Sequence, residues 1–298
     1  MTTAVAATEL FGPDGEIGRA WGTVPTVVRN GPLAALMPGA DELLATPLLR
    51  PPFITVLDGG TPVPASRYCR TEHFASPGRA EQIVDPGALD AVLAAGAAVK
   101  FNRLELWSPV VAALASEIGA ACGRKVKVWG FLSPHAQRLV PSHRDPAHVV
   151  AVQLDGRKGW ILGGPCPEGA WSAMSAPVPG EETRVELEAG DILYLPYGYA
   201  HCAAAETSSS FHISFALEGT TAGELRHRIV KHVVDRLDGD DSTEVGEHNL
   251  AAIAAELSHV LGEAARSAAA LPDRDGVERI HAGDTAEVID RLLTPGAP

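Results

Sequence analysis

The chain has 298 residues, of which 46% are hydrophobic and 20% charged, and its 24 basic and 37 acidic side chains give a formal net charge of −13. This composition excludes a disordered or collagen-like chain, and the length accommodates one large domain, alone or with a smaller appendage. The acidic balance disfavours a surface that neutralises many phosphates, so we expect no direct binding of nucleic acid.

The N-terminal residues show neither a basic leader nor a long apolar segment, and no stretch reaches the roughly 20 apolar residues of a membrane-spanning helix. The cysteines are scattered without a CxxC pair, at Cys69, Cys122, Cys166 and Cys202. This spacing favours reduced thiols over a disulfide scaffold. We therefore expect a cytoplasmic protein that does not associate with membranes.

The first 124 residues mix short strands, turns and helices. Thr26–Val28 and Phe53–Leu57 have the composition of strands, and the second closes on the turn signal Asp58-Gly59-Gly60. Helical spacing begins after Asp85 with Leu89, Val92 and Leu93. A second helix is predicted after the N-cap pair Ser108-Pro109, with an apolar face formed by Val110, Val111, Leu114 and Ile118.

Residues 125–218 have a strand-like pattern. Polar and apolar residues alternate over Lys125–Phe131, and two mainly apolar segments follow at Val149–Leu154 and Asp191–Leu195. Glycine-containing turns separate these segments, and no helical pattern lies between them. Several short strands of this kind indicate an antiparallel barrel or jelly roll.

After Gly219 the pattern becomes helical again. Residues 221–298 contain 15 acidic and 8 basic residues, so this region is an acidic helical appendage. We expect residues 1–220 to form the catalytic domain and residues 221–298 to support a homodimer. The predicted apolar positions and the capping pair are Leu225, Ile229, Val233 and Leu237, then Ile253, Leu257, Val260 and Leu261, and finally Asp284 with Glu287.

The triplet His143-Arg144-Asp145 is the first candidate for chemistry. In a strand, residues i and i+2 point to the same face, so an imidazole and a carboxylate could bind one metal ion. Taken alone, the triplet fits a surface histidine and a turn aspartate before Pro146 equally well.

The context of His201 favours the metal site. A turn, an apolar strand and a bend precede this histidine, and the strands between it and Asp145 could return it to the first pair. Two histidines and one carboxylate on one face form the facial triad of non-haem Fe(II) oxygenases, which leaves coordination positions for a cosubstrate and dioxygen.

The ordered motifs resemble those of the JmjC-type ribosomal oxygenases, also called the cupin-4 group. They are His143-x-Asp145, the block Gln-Leu-Asp-Gly-Arg-Lys-Gly-Trp ending at Trp160, the segment Gly190–Pro196 that leads to His201, and Phe211–Ser214. The resemblance implies a mainly β fold with flanking helices, built on a double-stranded β-helix (jelly-roll) core, and a C-terminal helical region. It also implies an Fe(II)- and 2-oxoglutarate-dependent dioxygenase.

The same resemblance assigns roles to individual residues. His143, Asp145 and His201 would bind iron, Lys158 would pair with the distal carboxylate of 2-oxoglutarate, and Ser214 would lie near this cosubstrate. Without the resemblance, Lys158 would be interpreted as a solvated residue of a hairpin turn. The expected reaction is hydroxylation of an unactivated C–H bond, on a protein or peptide side chain.

Some residues depart from the family pattern and keep other functions open. Lys127 and Trp129 stand where the family usually has Asn and Tyr, and the loop Ser133–Val140 lacks its glycine-rich form. The alternatives are the same chemistry on a small molecule, such as an amino acid or natural-product intermediate, and a non-oxidative metal-binding cupin. Among the other histidines, His148 and His212 are expected to be structural, and His135 lies in a loop that could contact substrate.

Overall fold

The computed structural model describes residues 2–47, 49–74, 78–133, 141–166, 182–205, 209–219, 255 and 258–263. The chain divides into two compact units, Met1–Glu218 and Gly219–Pro298. The first unit contains all the strands of the described residues. These lie in three antiparallel sheets and are accompanied by helices.

The described helices and strands have the following bounds. The α-helices are α1 Thr3–Phe11, α2 Glu16–Ala20, α3 Ala40–Leu44, α4 Pro86–Ala94 and α5 Pro109–Cys122, and short 3-10 turns lie at Ala34–Leu36, Ala65–Arg67 and Leu104–Leu106. The strands are β1 Thr26–Val28, β2 Ile54–Asp58, β3 Thr61–Pro62, β4 Cys69–Phe74, β5 Gly78–Val84, β6 Ala98–Asn102, β7 Lys125–Ser133, β8 His148–Asp155, β9 Arg157–Leu162, β10 Thr183–Glu188, β11 Ile192–Leu195, β12 His201–Ala205 and β13 Ser210–Glu218.

Two of the sheets pack face to face. The larger has the order β1-β11-β8-β13-β7-β6-β2-β3 and the smaller the order β10-β9-β12, while β4 and β5 form a separate pair. The chain changes from one packed sheet to the other between β8 and β9, β10 and β11, β11 and β12, and β12 and β13. This is a double-stranded β-helix, so the fold class predicted from the sequence is confirmed.

Strand β8 is buried on both of its faces. Val150 and Val152 pack into the core formed with α1 and α5, whereas Val149 and Ala151 pack against the smaller sheet. Because successive side chains of a strand point to opposite faces, a strand buried on both sides needs an uninterrupted apolar run. The uninterrupted apolar run Val149–Val152 is the sequence signature of this position.

Helix α5 begins as predicted, but its apolar face is narrower. Pro109 lies in the first turn after Ser108, and Gly123 ends the helix with φ of +65°. Val111, Leu114 and Ile118 are buried, whereas Val110 is 44% exposed. Adjacent residues of an α-helix are about 100° apart around its axis. The prediction that Val110 shares the apolar face is therefore wrong.

None of the four cysteines forms a disulfide, as the sequence predicts. Within the described ranges, no helix has the length and hydropathy needed to cross a lipid bilayer.

In the second unit, the described residues 255 and 258–263 are helical, and Val260 is buried. The other predicted apolar positions of this region except Leu261, together with Asp284 and Glu287, lie outside the described residues.

Gly156 lies in the connection between the two packed sheets, and a substitution there tests the fold. It has φ of +63°, and a Cβ placed on it would lie 1.9 Å from the Ser209 carbonyl oxygen. We expect Gly156→Ala to lower the free energy of unfolding by more than about 2 kcal/mol, because both the backbone and Ser209 would have to move. Denaturant unfolding followed by tryptophan fluorescence measures this loss.

Gly59 provides the matched control. It has φ of +54°, but a Cβ there would meet nothing within 4 Å. Gly59→Ala should therefore cost only the left-handed backbone conformation, about 1 kcal/mol. Equal losses in the two variants would contradict the proposed clash at the crossing between sheets.

Candidate metal centre and its cavity

The backbones of the two candidate histidines, His143 and His201, are hydrogen-bonded to each other. The His143 amide donates to the His201 carbonyl at 3.0 Å, and the His201 amide donates to the His143 carbonyl at 2.9 Å. This isolated bridge holds His143 beside the start of β12, and His143 and Asp145 precede β8. The prediction that His143 and Asp145 lie in a regular strand is wrong, but the three side chains still come together.

The ligand atoms of His143, Asp145 and His201 all lie within 4.8 Å of one another. Each histidine Nε2 is 3.6 Å from Oδ2 of Asp145. His201 is buried, whereas His143 and Asp145 are half-buried and line a cavity. Two imidazole nitrogens and a carboxylate oxygen are therefore directed at one point.

The remaining ring nitrogens fix the tautomers of the two histidines. His143 Nδ1 lies 3.0 Å from the Pro141 carbonyl oxygen, and His201 Nδ1 lies 2.9 Å from that of Tyr199. Since a carbonyl oxygen can only accept, each ring carries a proton on Nδ1, and Nε2 is the atom that faces Asp145. Metal-binding histidines are oriented in this way by their second nitrogen.

The charges of the triad suit a cation. Burial raises the pKa of Asp145, but hydrogen bonding to His143 and the charges of both histidines outweigh it, so the pKa lies below its usual value. Burial and the charge of His143 lower the pKa of His201. Burial also lowers the pKa of His143, but the hydrogen bond to Asp145, the charge of Asp145 and the hydrogen bond to the Pro141 carbonyl together raise the value overall. The site therefore holds an ionised carboxylate beside a neutral His201.

Arg144, between the two ligands of the triplet, is 2% exposed and points away from the cavity. Its Nη1 donates to the carbonyl oxygens of Gly164 at 3.0 Å and Gly198 at 2.8 Å. The Gly198 amide in turn donates to the Asp145 carbonyl at 3.1 Å. These bonds join the segment before His201 to the triplet.

The triad opens into a cavity of about 360 Å³ between the two packed sheets. Its walls combine apolar and aromatic side chains with a few charged ones, the usual composition of a small-molecule site. The lining residues are Lys100, Trp129, Phe131, His143, Asp145, Pro146, Ala147, Val149, Lys158, Trp160, His201, Ala203, His212, Ser214, Ala216 and Glu218.

Lys158 lies in β9 and is only 2% exposed. Its Nζ is 3.1 Å from His212 Nδ1 and 3.4 Å from Ser133 Oγ, and burial lowers its pKa to about 7. The alternative of a solvated hairpin residue is wrong, because β8 and β9 belong to different sheets and Lys158 faces the cavity between them.

His212 and Ser214 lie on the cavity face of β13. His212 stacks on Phe131 with ring centroids 4.8 Å apart. Burial, together with the charges of Lys158 and His201, lowers its pKa well below the usual range. The neutral ring can therefore accept the hydrogen bond from Lys158. Ser214 is 9% exposed and faces Trp129 across the β7–β13 pairing.

The other histidines take different places. His148 is buried in the core, where it stacks on Trp21 at 4.3 Å and its Nδ1 lies 2.9 Å from the Tyr194 hydroxyl. Its predicted structural role is confirmed. His135 lies outside the described residues.

Sequence reasoning missed three charged residues of the site: Lys100, Arg144 and Glu218. Lys100 and Glu218 line the cavity, and Arg144 holds its loops. The sequence could have predicted the orientation of Lys100. It lies between the apolar residues Val99 and Phe101 in a strand, so its side chain points to the face opposite theirs. The hydrogen bonds of Arg144 reach loops distant in the sequence, and no local pattern marks them.

The strands form a double-stranded β-helix, and its His-Asp-His cluster is the ligand set of non-haem Fe(II) oxygenases. Residues 105–225 match the family model of the JmjC domain. The matched segment contains the His-Asp-His cluster, and the match confirms the resemblance to the JmjC-type ribosomal oxygenases.

Curated relatives agree with this assignment. Ribosomal oxygenase 1 of Rattus norvegicus is 30% identical over 171 residues, which are 53% of this chain and 27% of the rat protein. Ribosomal oxygenase 1 of Danio rerio is 32% identical over 99 residues, or 31% of this chain and 18% of that protein. The matches thus span about a quarter or less of the length of these relatives.

Solved structures share the fold at low sequence identity. The X-ray structure of E. coli YcfD is 20% identical, with a TM-score of 0.52, and the likeness covers 86% of this chain and 67% of that one. A structure of YcfD, a ribosomal oxygenase from E. coli, in complex with cobalt and 2-oxoglutarate is 19% identical, with a TM-score of 0.53 and coverage of 86% and 66%.

Lys158 leads to a pH-dependent stability prediction. Its pKa is about 7 in the folded chain against the ordinary 10.5, so between these values the unfolded chain binds a proton that the folded chain lacks. Stability therefore falls as the pH drops from about 10.5 to about 7, and the full loss remains below. We expect Lys158→Met to exceed the wild type in free energy of unfolding by a few kcal/mol near neutral pH, and by much less near pH 10.

Denaturant titrations at several pH values measure this difference. Lys125→Met is the control, because Lys125 is exposed and its replacement should give no comparable pH dependence. A Lys158→Met variant that is less stable than the wild type at every pH would show that the ammonium is well compensated in the folded chain.

Proposed function

We propose that this chain is an Fe(II)- and 2-oxoglutarate-dependent dioxygenase that hydroxylates an unactivated C–H bond. The observation that carries the proposal is the triad, in which His143, Asp145 and His201 direct ligand atoms to one point while both Nδ1 atoms bond to backbone carbonyls. Two histidines and one carboxylate suit Fe(II) and leave positions for other ligands. These three residues would hold the iron.

Lys158 supports 2-oxoglutarate as the cosubstrate. In the register of the smaller sheet, Lys158 pairs with Ala205 and His201 with Leu162, so the ammonium and the triad lie toward opposite ends of β9. Among the described residues, Lys158 has only the neutral partners Ser133 and His212. A dicarboxylate that reaches from the metal to this buried cation would satisfy both ends of the cavity.

Iron, 2-oxoglutarate and dioxygen together supply the oxidising power for C–H hydroxylation. The residues of the chain would position the target carbon and exclude water, for which Trp129, Phe131 and Trp160 provide aromatic walls. The cobalt and 2-oxoglutarate held by YcfD and the names of the curated relatives support the same chemistry.

The relatives' names also support a protein or peptide side chain as the substrate, with ribosomal proteins as the first candidates. The second candidate is a small molecule, which is favoured by a cavity of about 360 Å³, near the small end of ligand sites. The cytoplasmic location and a homodimer formed through residues 221–298 stay predictions.

Spectroscopy under anaerobic conditions tests the cofactors. Fe(II) and 2-oxoglutarate should together produce the weak visible charge-transfer band of the chelate. His143→Ala should abolish the band, and Lys158→Met should weaken 2-oxoglutarate binding at least about tenfold by removing a charged hydrogen bond. Lys125→Met serves as the control for lost positive charge. A protein that binds the metal but shows no charge-transfer band, or that forms no succinate from 2-oxoglutarate in air, would instead be the non-oxidative cupin.

Mass spectrometry tests the ribosomal candidate. Ribosomal proteins from the source organism should include one that carries an added oxygen atom and loses it when the gene is deleted. Restoring the gene with the His143→Ala substitution should leave that protein unmodified. Identical ribosomal proteins in wild-type and deletion strains would rule out this substrate and leave the oxygenase chemistry to be judged by the spectrum.

A further inference from the structure

Lys100 is a cavity-lining cation that the proposed reaction does not use. It lies in β6, beside Phe131 in the β6–β7 pairing, and its side chain is half-buried. Its Nζ lies 5.8 Å from the ring centroid of Trp129 and 5.7 Å from that of Phe131. Within the described ranges no hydrogen-bond acceptor and no ion-pair partner contacts this ammonium, so the aromatic faces are its contacts there.

The anions of the cavity are engaged elsewhere. Glu218 accepts a hydrogen bond from Lys127 at 2.6 Å. Asp145 lies between the two histidines of the triad and attracts Lys100 only across space. Once Asp145 binds a divalent metal, that attraction is cancelled by the charge of the metal.

When the charges of the site with metal and 2-oxoglutarate bound are counted, the charge of Lys100 is not neutralised. Under the proposed function, the two charges of the metal and the charge of Lys158 offset Asp145 and both carboxylates of 2-oxoglutarate. Lys100 then remains as a partly desolvated positive charge without an anion. Burial lowers the pKa of Lys100, as expected for an ammonium that is incompletely compensated.

We infer that Lys100 binds a carboxylate of the substrate, and that the substrate is an acid whose apolar part lies against Trp129 and Phe131. This inference rests on the proposed function, and it adds the chemical class of the substrate. A carboxylate beside Lys100 would form a charge-assisted hydrogen bond, and the aromatic rings would contact the adjoining carbon atoms. A basic side chain at the same place would meet a like charge.

Binding of matched acids and amides tests the inference without turnover. The protein is loaded with Mn(II) and saturating 2-oxoglutarate, and the probes are N-acetyl-phenylalanine, N-acetyl-leucine and N-acetyl-glutamine, each as the free acid and as the amide. A blocked peptide with a central Glu, compared with its Gln counterpart, distinguishes an acidic peptide from a free acid. Relaxation of probe protons by Mn(II) reports both the affinity and the proximity to the metal.

At least one acid should bind about tenfold or more tightly than its amide. Lys100→Met should remove the preference, whereas Lys100→Arg and the exposed control Lys125→Met should retain it. Thermal unfolding checks that each variant is folded, and retention by Lys100→Arg separates lost charge from lost packing.

Three results would overturn the inference. The first is equal binding, or no binding, of acid and amide in every pair. The second is a preference that persists in Lys100→Met. The third is an acid preference that appears only when 2-oxoglutarate is left out, because the acid would then occupy the 2-oxoglutarate site. Failure of the proposed function is separate, because it would appear as wild-type protein that does not bind Mn(II) and 2-oxoglutarate before any probe is added.

Discussion

The site depends on the pair of backbone hydrogen bonds that joins His143 to His201. These bonds fix two segments distant in the sequence, and the Gly198 amide and the Arg144 guanidinium hold the loop that leads into His201. The ligand side chains therefore start from a backbone arrangement that hydrogen bonds hold in place. Such preorganisation lowers the cost of assembling a metal site.

The two packed sheets combine apolar surfaces with a cavity that contains a buried charge. Strand β8 presents Val150 and Val152 to the main core and Val149 and Ala151 to the smaller sheet, so the larger sheet is anchored by apolar contacts on both faces. The smaller sheet, which packs against this well-buried strand, contains Lys158 in β9. Its buried ammonium contacts only neutral partners among the described residues. Apolar burial in the rest of the fold offsets the cost of burying this ammonium. The cost falls when a ligand supplies a carboxylate beside it.

The sequence predicted the features that depend on local pattern. Alternation and apolar runs predicted β7, β8 and β11, and a cap signal predicted the start of α5. The context of His201 and the family resemblance, rather than spacing alone, grouped it with His143 and Asp145. The burial of Lys158 is different, because Asp155-Gly156 has the form of a hairpin turn while β8 and β9 pair with other strands. Only the pairing of distant strands decides this. Arg144 acts on distant loops, and the face of Val110 depends on what packs against the helix.

The two cavity lysines differ in depth, and the difference has a chemical consequence. Lys158 is 2% exposed, whereas Lys100 is half-buried and shields its ammonium with aromatic rings. Desolvation penalises an ion more strongly the deeper it lies, so an anion at Lys158 relieves the larger penalty. Under the two proposals, the dicarboxylate binds at the more deeply buried cation and the acid binds at the more exposed one, so each anion is matched to the cation whose desolvation it offsets.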